Sequence, residues 1–280
     1  MHTAFSRALI VALVVTATAC SGYSQQISPQ KVAESSLPNA PQPSQKEMLR
    51  GMPKDILHDQ ATIWTSPARI RIHDFVWLAP LAVAAGVSLA TDRHTMRSVV
   101  SHDPDFNQAN VDAANGLVGG LVAIPAGLYG LGLFHNNFHE QETGILSGEA
   151  VLDAYVVQEG LKLMTWRERP MLDHGKGLFF QRSAGTDSSF PSNHSMIAWS
   201  SAAVVASEYP SPWVDFGVYT MATGVSLTRV MGQQHFPTDV LVGSALGWLI
   251  GRYIVKKHKW VVMHLASHRA LPPLPRRLKP

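Results

Sequence analysis

Between about Leu57 and Val255 the chain consists of long apolar segments separated by short polar loops, with few stretches in which apolar and polar residues alternate one by one. Half-buried β-strands show that one-by-one alternation, whereas helices appear as segments of at least about 12 residues. The pattern therefore predicts an all-α fold, a helical bundle that occupies residues 57–255.

Two of the apolar segments raise the question of a membrane. Phe75–Thr91 is uncharged but short and is interrupted by Pro80, whereas Ala113–Phe134 is uncharged and reaches the roughly 20 residues that a membrane span requires. Gly116 and Gly120 in the second segment have the spacing of closely packed membrane helices. Ala113–Phe134 is therefore the best candidate for a membrane span.

Other features favour a soluble bundle. Alanine- and glycine-rich helices also fill the centre of soluble proteins, and the mean hydropathy of the chain is only +0.03. The later apolar runs Phe216–Thr228 and Val240–Gly251 are too short to span a membrane unaided. Both interpretations stay open, with membrane association slightly favoured.

The first 19 residues have the pattern of an export signal. His2 and Arg7 are basic, Ala8–Val15 is apolar, and Ala17–Ala19 consists of small residues suited to a cleavage site. Residues 1–19 are therefore predicted to be a signal peptide. This signal predicts a location in the cell envelope, on the periplasmic side.

Cys20, the only cysteine of the chain, follows this segment directly. The position suits acylation of a bacterial lipoprotein, with a lipid anchor at Cys20. Ala17 stands where leucine is more usual, so a plain secretory signal is slightly favoured. With either processing the mature domain has no internal disulfide, and packing must stabilise it.

The ends of the mature chain differ in composition from its centre. Ser24–Gln45 contains four prolines among Ser, Gln and Asn, and residues 20–56 are predicted to form a disordered spacer. Residues 256–280 are predicted to form a basic, proline-rich tail. The net charge is only +3, and no basic helix is interleaved with aromatic residues. Nucleic acid is therefore not an expected partner.

Three short motifs contain most of the candidate chemistry. The first is KLMTWRERP, Lys162–Pro170. A helix is predicted to run through about Arg167, because Pro170 disfavours helical geometry at the residue before it. Lys162 and Arg169 are seven residues apart, close to two turns, so both cations are expected on one face near the helix end. By itself the motif also fits a solvated helix end.

The second motif is PSNH, Pro191–His194, shortly before the small, apolar run IAWSSAAVVAS. A helix that starts near Ser192 or Asn193 has unpaired N–H groups in its first turn, and these can bind an anion together with the Ser192 hydroxyl. A simple N-cap explains Ser192 and Asn193 equally well. It does not explain His194, since the positive end of the helix dipole disfavours a protonated imidazole.

The third motif is TRVMGQQHFPTD, Thr228–Asp239. Arg229 follows an apolar run, and His235 lies six residues later. Pro237 fits the first turn of a new helix and places Asp239 in that turn, where it can reach the His235 imidazole and fix its tautomer. A polar loop between two helices is the alternative interpretation.

Taken together, the motifs indicate a site. A largely apolar chain places three cations, two imidazoles and one carboxylate at the ends of successive apolar segments, and helix ends on one side of a bundle can converge. Cations and helix N–H groups can hold phosphate oxygens, while one histidine attacks phosphorus and the other protonates the leaving oxygen. The members of this set are Lys162, Arg169, His194, Arg229, His235 and Asp239.

The patterns K-x6-RP, PSNH and R-x5-H-x3-D, in this order, resemble the three signature motifs of the type 2 phosphatidic acid phosphatase superfamily. That superfamily also includes soluble bacterial acid phosphatases and vanadium-dependent haloperoxidases. The resemblance implies an α-helical bundle and a phosphatase that needs neither a metal nor another cofactor. It implies a phosphorylated lipid or another phosphate ester as substrate, either a monoester or a pyrophosphate.

The same resemblance implies a role for each residue. His235 is the nucleophile that forms a phosphohistidine, and Asp239 orients it. His194 is the general acid for the leaving alcohol and then the general base for water. The phosphate oxygens are bound by Lys162, Arg169, Arg229, Ser192 and the backbone N–H of Asn193.

Two positions depart from the family pattern. Asn193 stands where glycine is usual, and Thr228 stands where serine is usual. Asparagine tolerates left-handed backbone angles better than most residues, and threonine keeps the hydroxyl. The first change is expected to tighten the phosphate loop and lower activity, and the second is expected to be harmless.

Three alternatives remain open. Vanadate is a phosphate analogue, so the same pocket would serve a vanadate-dependent haloperoxidase. Asn193 would also suit a non-catalytic envelope protein with a vestigial phosphate site. His135 and His139 have metal-ligand spacing beside Glu140, but no third ligand is evident and a polar loop between helices is the better interpretation.

Overall fold

The computed structural model describes residues 44–172, 176–181 and 187–269, with side chains up to residue 263. The predicted signal peptide, Cys20, residues 20–43 of the predicted spacer and residues 270–280 lie outside this part of the chain. Within it, seven α-helices and two short 3-10 helices occur, and no residue belongs to a strand. The prediction of an all-α fold is confirmed.

The helices follow one another through short connections, apart from a longer segment between the fourth and the fifth. They are α1 (Gln45–Thr65), α2 (Phe75–Ser98), α3 (Pro104–His135), α4 (Phe138–Thr165), α5 (Asn193–Glu208), α6 (Pro212–Met231) and α7 (Pro237–Arg269). The two 3-10 helices, Ser66–Arg69 and Ile72–Asp74, connect α1 to α2. Helices α3, α6 and α7 all begin with a proline, whose missing N–H would have no partner in a first turn.

Helix α5 is the centre of the bundle. It packs against α3, α4, α6 and α7, and 11 of its 16 residues are buried. Most of the buried residues are alanine or serine, whose small side chains let neighbouring helices approach closely. Trp199 is the large exception, and it belongs to the same core cluster as Leu121 and Ala222.

Three glycines of α7 make its contact with α5 close. At Gly243, Gly247 and Gly251 an added Cβ atom would lie 2.8, 2.3 and 2.4 Å from a backbone carbonyl oxygen of α5 or its N-cap. These oxygens belong, in the same order, to Ser192, Met196 and Ser200. Because no side chain fits there, the two backbones are in direct contact over about two helical turns.

Gly116 and Gly120 of α3 have more room. Nothing lies within 4 Å of an added Cβ at Gly116, and at Gly120 such an atom meets only Met221 Cε, at 3.2 Å. The close helix contact predicted from the spacing of these two glycines is therefore wrong for Gly116. Tight contacts occur at other glycines, for example at Gly144 in α4, where an added Cβ would lie 2.8 Å from the Pro125 carbonyl oxygen of α3, and at the three glycines of α7.

Helices that follow one another in the chain run in opposite directions from α4 onward, so α5 and α7 are parallel and the bundle has two distinct ends. At the end where α5 and α7 begin, the Ser192 N–H donates to the Asp239 carbonyl oxygen at 3.1 Å. At the other end, Glu208 Oε2 lies 3.7 Å from His139 Nδ1, and Glu208 Oε1 lies 3.2 Å from Lys259 Nζ. We call the first the motif end, because the three predicted motifs fall there, and the second the distal end.

Three helices are long and apolar enough to cross a membrane by length and composition, namely Ile72–Ser98, Pro104–His135 and Pro237–Met263. In the first, no residue of the most apolar 18-residue window is buried, so its apolar side chains face outward. The predicted span Ala113–Phe134 lies inside the second. The chain therefore has the helices of a membrane protein.

The prediction that two other apolar segments are too short to span is wrong. Phe75–Thr91 continues as a helix to Ser98 despite Pro80. Val240–Gly251 lies inside the 33-residue helix α7. Both helices contain charged residues, such as Lys256 in α7. The uncharged run in each sequence is therefore shorter than the helix.

The helical region is also longer than predicted at both ends. Residues 45–56, which the sequence assigns to a disordered spacer, form the first turns of α1, and Ser44 and Glu47 start that helix with a capping box. Residues 256–269, assigned to the tail, continue α7. Contacts with the core, for example through Met48, stabilise an N-terminal helix that composition alone does not predict.

A buried ion pair attaches α1 to α7. Lys257 Nζ lies 2.5 Å from Asp59 Oδ2 and 2.7 Å from Glu149 Oε1, and the Tyr253 hydroxyl donates to Asp59 Oδ1. Asp59 is fully buried. Because Lys257 is about 27 Å along the helix from Asp239, this cluster is remote from the motif end.

Replacing Gly247 by alanine tests the contact between α5 and α7. The new Cβ would meet the Met196 carbonyl oxygen at 2.3 Å, so the helices must move apart, and we expect a destabilisation of about 2 kcal/mol, typical of overpacking. Thermal unfolding in detergent micelles, followed by circular dichroism, measures it. Gly148→Ala in α4 is the matched control, because nothing lies within 4 Å of its added Cβ and alanine favours a helix. Equal midpoints for the two variants would contradict the close contact.

Candidate active site

Helix α4 ends at Thr165, before the point predicted from the sequence. Trp166 adopts a left-handed backbone conformation with φ 40°, and its N–H donates to the Lys162 carbonyl oxygen at 3.1 Å. The prediction that this helix runs through Arg167 is wrong, because Trp166 and not Pro170 terminates it.

Contrary to prediction, Lys162 and Arg169 do not share a helix face. Lys162 lies in the last turn of α4 and is 7% exposed, whereas Arg169 approaches from the loop that follows. Arg169 Nη2 lies 2.6 Å from Asp187 Oδ1, and its Nη1 lies 3.2 Å from Gln234 Oε1. Burial, and next the charge of Arg169, lower the pKa of Lys162, so the two cations act on each other directly.

Helix α5 begins at Asn193 with Ser192 as its N-cap, in agreement with the sequence. Ser192 accepts hydrogen bonds from the N–H groups of Ser195 and Met196. The N–H groups of Asn193 and His194 come earlier in the turn, have no intrahelical acceptor, and are left for a ligand. Asn193 is not among the described residues with positive φ, so this backbone does not require the glycine that is usual in the family.

His194 lies at the mouth of this helix. Its Nε2 is 2.9 Å from Asn115 Oδ1 of α3. Burial, followed by the charges of its neighbours, lowers the pKa of His194 to about 4. The neighbours with this effect are Arg229, His235, Arg169 and Lys162. These residues belong to the first and third motifs, so both motifs lie close enough to His194 to influence its charge.

Arg229 is a buried cation whose Nε has no hydrogen-bond partner. It lies in the last turn of α6 and is 6% exposed, and no side chain or carbonyl in the described part of the chain accepts from Nε. Burial, and next the charge of Arg169, lower the pKa of Arg229 to about 10. A buried N–H donor without an acceptor is unfavourable, and a bound anion would supply the acceptor.

His235 lies between α6 and α7 and is 1% exposed. Its Nδ1 is 2.7 Å from the Ser189 carbonyl oxygen. Because a carbonyl oxygen only accepts, Nδ1 carries the proton and Nε2 keeps a free lone pair. Burial lowers the pKa of His235 to about 4 against the opposing charge of Asp239. The imidazole is therefore neutral at neutral pH, the state that a nucleophilic nitrogen needs.

Asp239 lies in the first turn of α7, as the sequence predicts, but it does not bond directly to the imidazole. Its Oδ2 is 3.8 Å from His235 Nδ1. Oδ2 accepts instead from the Phe236 N–H at 2.8 Å and from the Ser189 hydroxyl, and Oδ1 accepts from Arg167 Nη1 at 2.5 Å. The sequence predicts that Asp239 fixes the tautomer of His235 directly. The structure instead places the Ser189 carbonyl oxygen at hydrogen-bond distance from Nδ1, and Asp239 lies farther away.

Three further residues contribute to this region, although the sequence analysis assigns them no role. They are Arg167, Ser189 and Asp92. Arg167 is 2% exposed, and its Nη2 lies 2.7 Å from Asp92 Oδ2 of α2. The rings of Phe179 and Phe236 lie 4.7 and 4.2 Å from the guanidinium carbon. Arg167 stands inside the first motif, where its charge is a usable signal, but no local pattern indicates Asp92 or Ser189.

The motif end therefore collects three cations, two imidazoles with lowered pKa values and the first N–H groups of α5. Such a set attracts a tetrahedral oxyanion and repels a metal ion. Two groups of described side chains could ligate a metal, and neither includes a residue of the motif end. They are His139, Glu142 and Glu208 at the distal end, and Asp59, Glu149 and Asp153 beside Lys257. The residues that the motif end brings together are Lys162, Arg169, Ser192, Asn193, His194, Arg229 and His235.

Comparison with known proteins gives a partial family match. Residues 144–263, fewer than half of the 280 residues, match the model of the PAP2 superfamily. We call residues 144–263 the PAP2 region. The PAP2 region contains every site residue predicted from the sequence, from Lys162 to Asp239, and it begins after the whole of α2 and α3.

Individual relatives are more distant. The lipid A 1-phosphatase of Porphyromonas gingivalis is 36% identical over 85 residues, which are 29% of this chain and 19% of that protein. The chain thus spans about a fifth of the length of this curated relative. The crystal structure of the first transmembrane PAP2 type phosphatidylglycerolphosphate phosphatase from Bacillus subtilis matches with a TM-score of 0.45 and 23% identity, covering 67% of this chain and 94% of that one.

Replacing Arg229 by methionine tests whether the site binds an oxyanion. The change removes a buried, poorly partnered charge, so we expect the thermal midpoint of the unliganded protein to stay the same or rise. Inorganic phosphate should raise the midpoint of the wild type, because a ligand of the folded state stabilises it. This rise should disappear in Arg229→Met.

Arg252→Met is the matched control for that experiment. Arg252 lies on α7, away from the motif end, and donates to the Ser207 hydroxyl at 3.0 Å. Its variant should keep the full response to phosphate. A response that survives in Arg229→Met would argue against an oxyanion site at this guanidinium.

Proposed function

We propose that the protein is a phosphatase that hydrolyses a phosphorylated lipid, either a monoester or a pyrophosphate, without a metal ion or another cofactor. The observation that supports this most strongly is the buried Arg229 guanidinium, with an unpartnered Nε, beside Lys162 and Arg169. Three cations can hold the non-bridging oxygens of one phosphate and stabilise the charge of its transition state. The similarity of residues 144–263 to the PAP2 superfamily supports the same class of reaction.

In the first step of the proposed mechanism, His235 is the nucleophile. With its Nδ1–H held by the Ser189 carbonyl, the Nε2 lone pair attacks phosphorus. The bond from Nε2 to phosphorus forms while the bond from phosphorus to the leaving oxygen breaks. His194 donates a proton to that oxygen, so an ester releases a neutral alcohol and a pyrophosphate releases a protonated phosphate.

In the second step, water replaces His235 on phosphorus. Neutral His194 takes a proton from the water, the new oxygen–phosphorus bond forms, and the electrons of the phosphorus–nitrogen bond return to Nε2. His194 must therefore be protonated in the first step and neutral in the second. Its pKa is about 4 without substrate, and a bound phosphate anion raises that pKa because it favours the imidazolium.

The surroundings of the site support a lipid as substrate. Helices α2, α3 and α7 are long and apolar enough to span a membrane, and the site lies at the end of the bundle where α7 begins. A phosphate headgroup at the membrane surface would reach this end while its acyl chains stay in the bilayer. The similarity to a lipid A 1-phosphatase over 85 residues favours the same substrate class. The location on the periplasmic side stays a prediction, since it depends on residues 1–19.

Replacing His235 by glutamine tests the nucleophile. Wild-type protein in mixed micelles with phosphatidic acid should release phosphate at the same rate with and without EDTA. His235→Gln should lose at least about 10⁴-fold in kcat, as other enzymes do without their nucleophile. His139→Gln at the distal end is the control and should keep the wild-type rate. Undiminished release by His235→Gln would end this mechanism, and halide oxidation that needs vanadate and peroxide would indicate a haloperoxidase.

Replacing His194 by glutamine separates the general acid from the nucleophile. An alkoxide leaving group needs a proton, whereas nitrophenolate leaves without one. We expect His194→Gln to lose about 10²- to 10⁴-fold in kcat/KM with phosphatidic acid and far less with p-nitrophenyl phosphate. His235→Gln should lose activity equally with both substrates. If His194→Gln also lost activity equally with both, His194 would not be the general acid.

A further inference from the structure

Helix α2 contributes one carboxylate to the base of the candidate site, although it lies outside the PAP2 region. Its buried residues are Asp92, Thr95 and Met96, all near its C-terminal end. Asp92 is 1% exposed. The attachment of α2 to the rest of the bundle is therefore concentrated around this carboxylate.

Asp92 bonds to two separate parts of the site. Its Oδ2 accepts from Arg167 Nη2 at 2.7 Å and from the Thr238 hydroxyl at 2.8 Å. Its Oδ1 accepts from the Thr238 N–H at 3.1 Å. Asp92 thus caps the first turn of α7 and also holds one arm of the Arg167 guanidinium.

From Arg167 the contacts continue to the candidate nucleophile. The other arm of the guanidinium donates to Asp239, and Asp239 accepts from the Ser189 hydroxyl. Ser189 is held a second time, because its N–H donates to the Arg167 carbonyl oxygen at 2.7 Å. The Ser189 carbonyl in turn meets His235 Nδ1. All the residues that form this chain of hydrogen bonds are buried.

We propose that Asp92 and Arg167 are positioning residues for His235. They hold Asp239 and Ser189 in place, and the Ser189 carbonyl then directs the Nε2 lone pair of His235 toward phosphorus. This inference rests on the proposed function, since it assigns the two residues to the nucleophile of that reaction. Neither residue touches the phosphate.

The geometry of the guanidinium explains why an arginine is needed. Arg167 donates through Nη1 to Asp239, through Nη2 to Asp92 and through Nε to the Gly177 carbonyl oxygen at 3.3 Å. A lysine keeps the charge but has a single nitrogen, which cannot bridge two carboxylates with the same planar geometry. Charge alone would therefore not preserve the position of Ser189.

The test compares Asp92→Asn and Arg167→Lys with Asp59→Asn, a variant that loses a buried ion pair remote from the candidate site. We expect both to lose about 100-fold in kcat with phosphatidic acid, the scale of a nucleophile misplaced by about 1 Å. Their KM should stay within about twofold, because Lys162, Arg169 and Arg229 still bind the phosphate. Ser189→Ala, a milder change, should lose about tenfold in kcat, the effect of one hydrogen bond.

Asp59→Asn is the matched control. Asp59 is likewise a buried carboxylate on a helix before the PAP2 region, and it pairs with a cation of the bundle, Lys257. Its loss should lower the thermal midpoint as much as Asp92→Asn does, but it should leave kcat unchanged. If Asp92→Asn keeps a kcat within about twofold of the wild type, or loses activity only as Asp59→Asn does, the proposal is overturned.

A second readout does not depend on activity. In protein labelled with ¹⁵N-histidine, the Nδ1–H signal of His235, assigned with His235→Gln, should exchange slowly with solvent in the wild type and in Asp59→Asn. It should exchange fast in Asp92→Asn and Arg167→Lys. Slow exchange in all four proteins would overturn the positioning role. If the wild type releases no phosphate, the proposed function fails, while this signal still decides whether Asp92 and Arg167 position the imidazole.

Discussion

The close contact between α5 and α7 fixes the geometry of the bundle around the candidate site. Three glycines of α7 let its backbone lie against that of α5, and the hydrogen bond from Ser192 to Asp239 joins their first turns. Both helices begin at the motif end, so His194 and His235 are held on the same side of the bundle by backbone contacts. In the proposed mechanism, the two imidazoles therefore need little side-chain rearrangement to reach one phosphorus.

Charge at the motif end is arranged in two layers. Lys162, Arg169 and Arg229 face the space where an oxyanion would bind, whereas the buried carboxylates Asp92 and Asp239 lie behind it and pair with Arg167. A buried carboxylate in the first layer would compete with the phosphate for the cations. The acid that does reach this layer, Asp187 on Arg169, is 75% exposed and can be displaced at little cost.

Much of the candidate site could be predicted, because its residues obey rules that act within one or two helical turns. Ser192 is an N-cap, and Pro237 starts a helix with Asp239 in its first turn. The end of α4 could not be predicted in this way, since a left-handed tryptophan has no sequence signal and is held by its surroundings. The first turns of α1 were missed for a related reason, because contacts with the core stabilise them.

Uninterrupted apolar segments are sufficient to predict the helical class, and three motifs of a few residues each are sufficient to predict the chemical groups of the candidate site. The partner that holds each group depends on how distant parts of the chain pack. Arg167 is separated by 75 residues from Asp92 and by 72 from Asp239, and Ser189 by 46 from His235. Periodicity and capping act over a few residues, whereas a buried pair forms only when distant helices pack and exclude water around both charges at once.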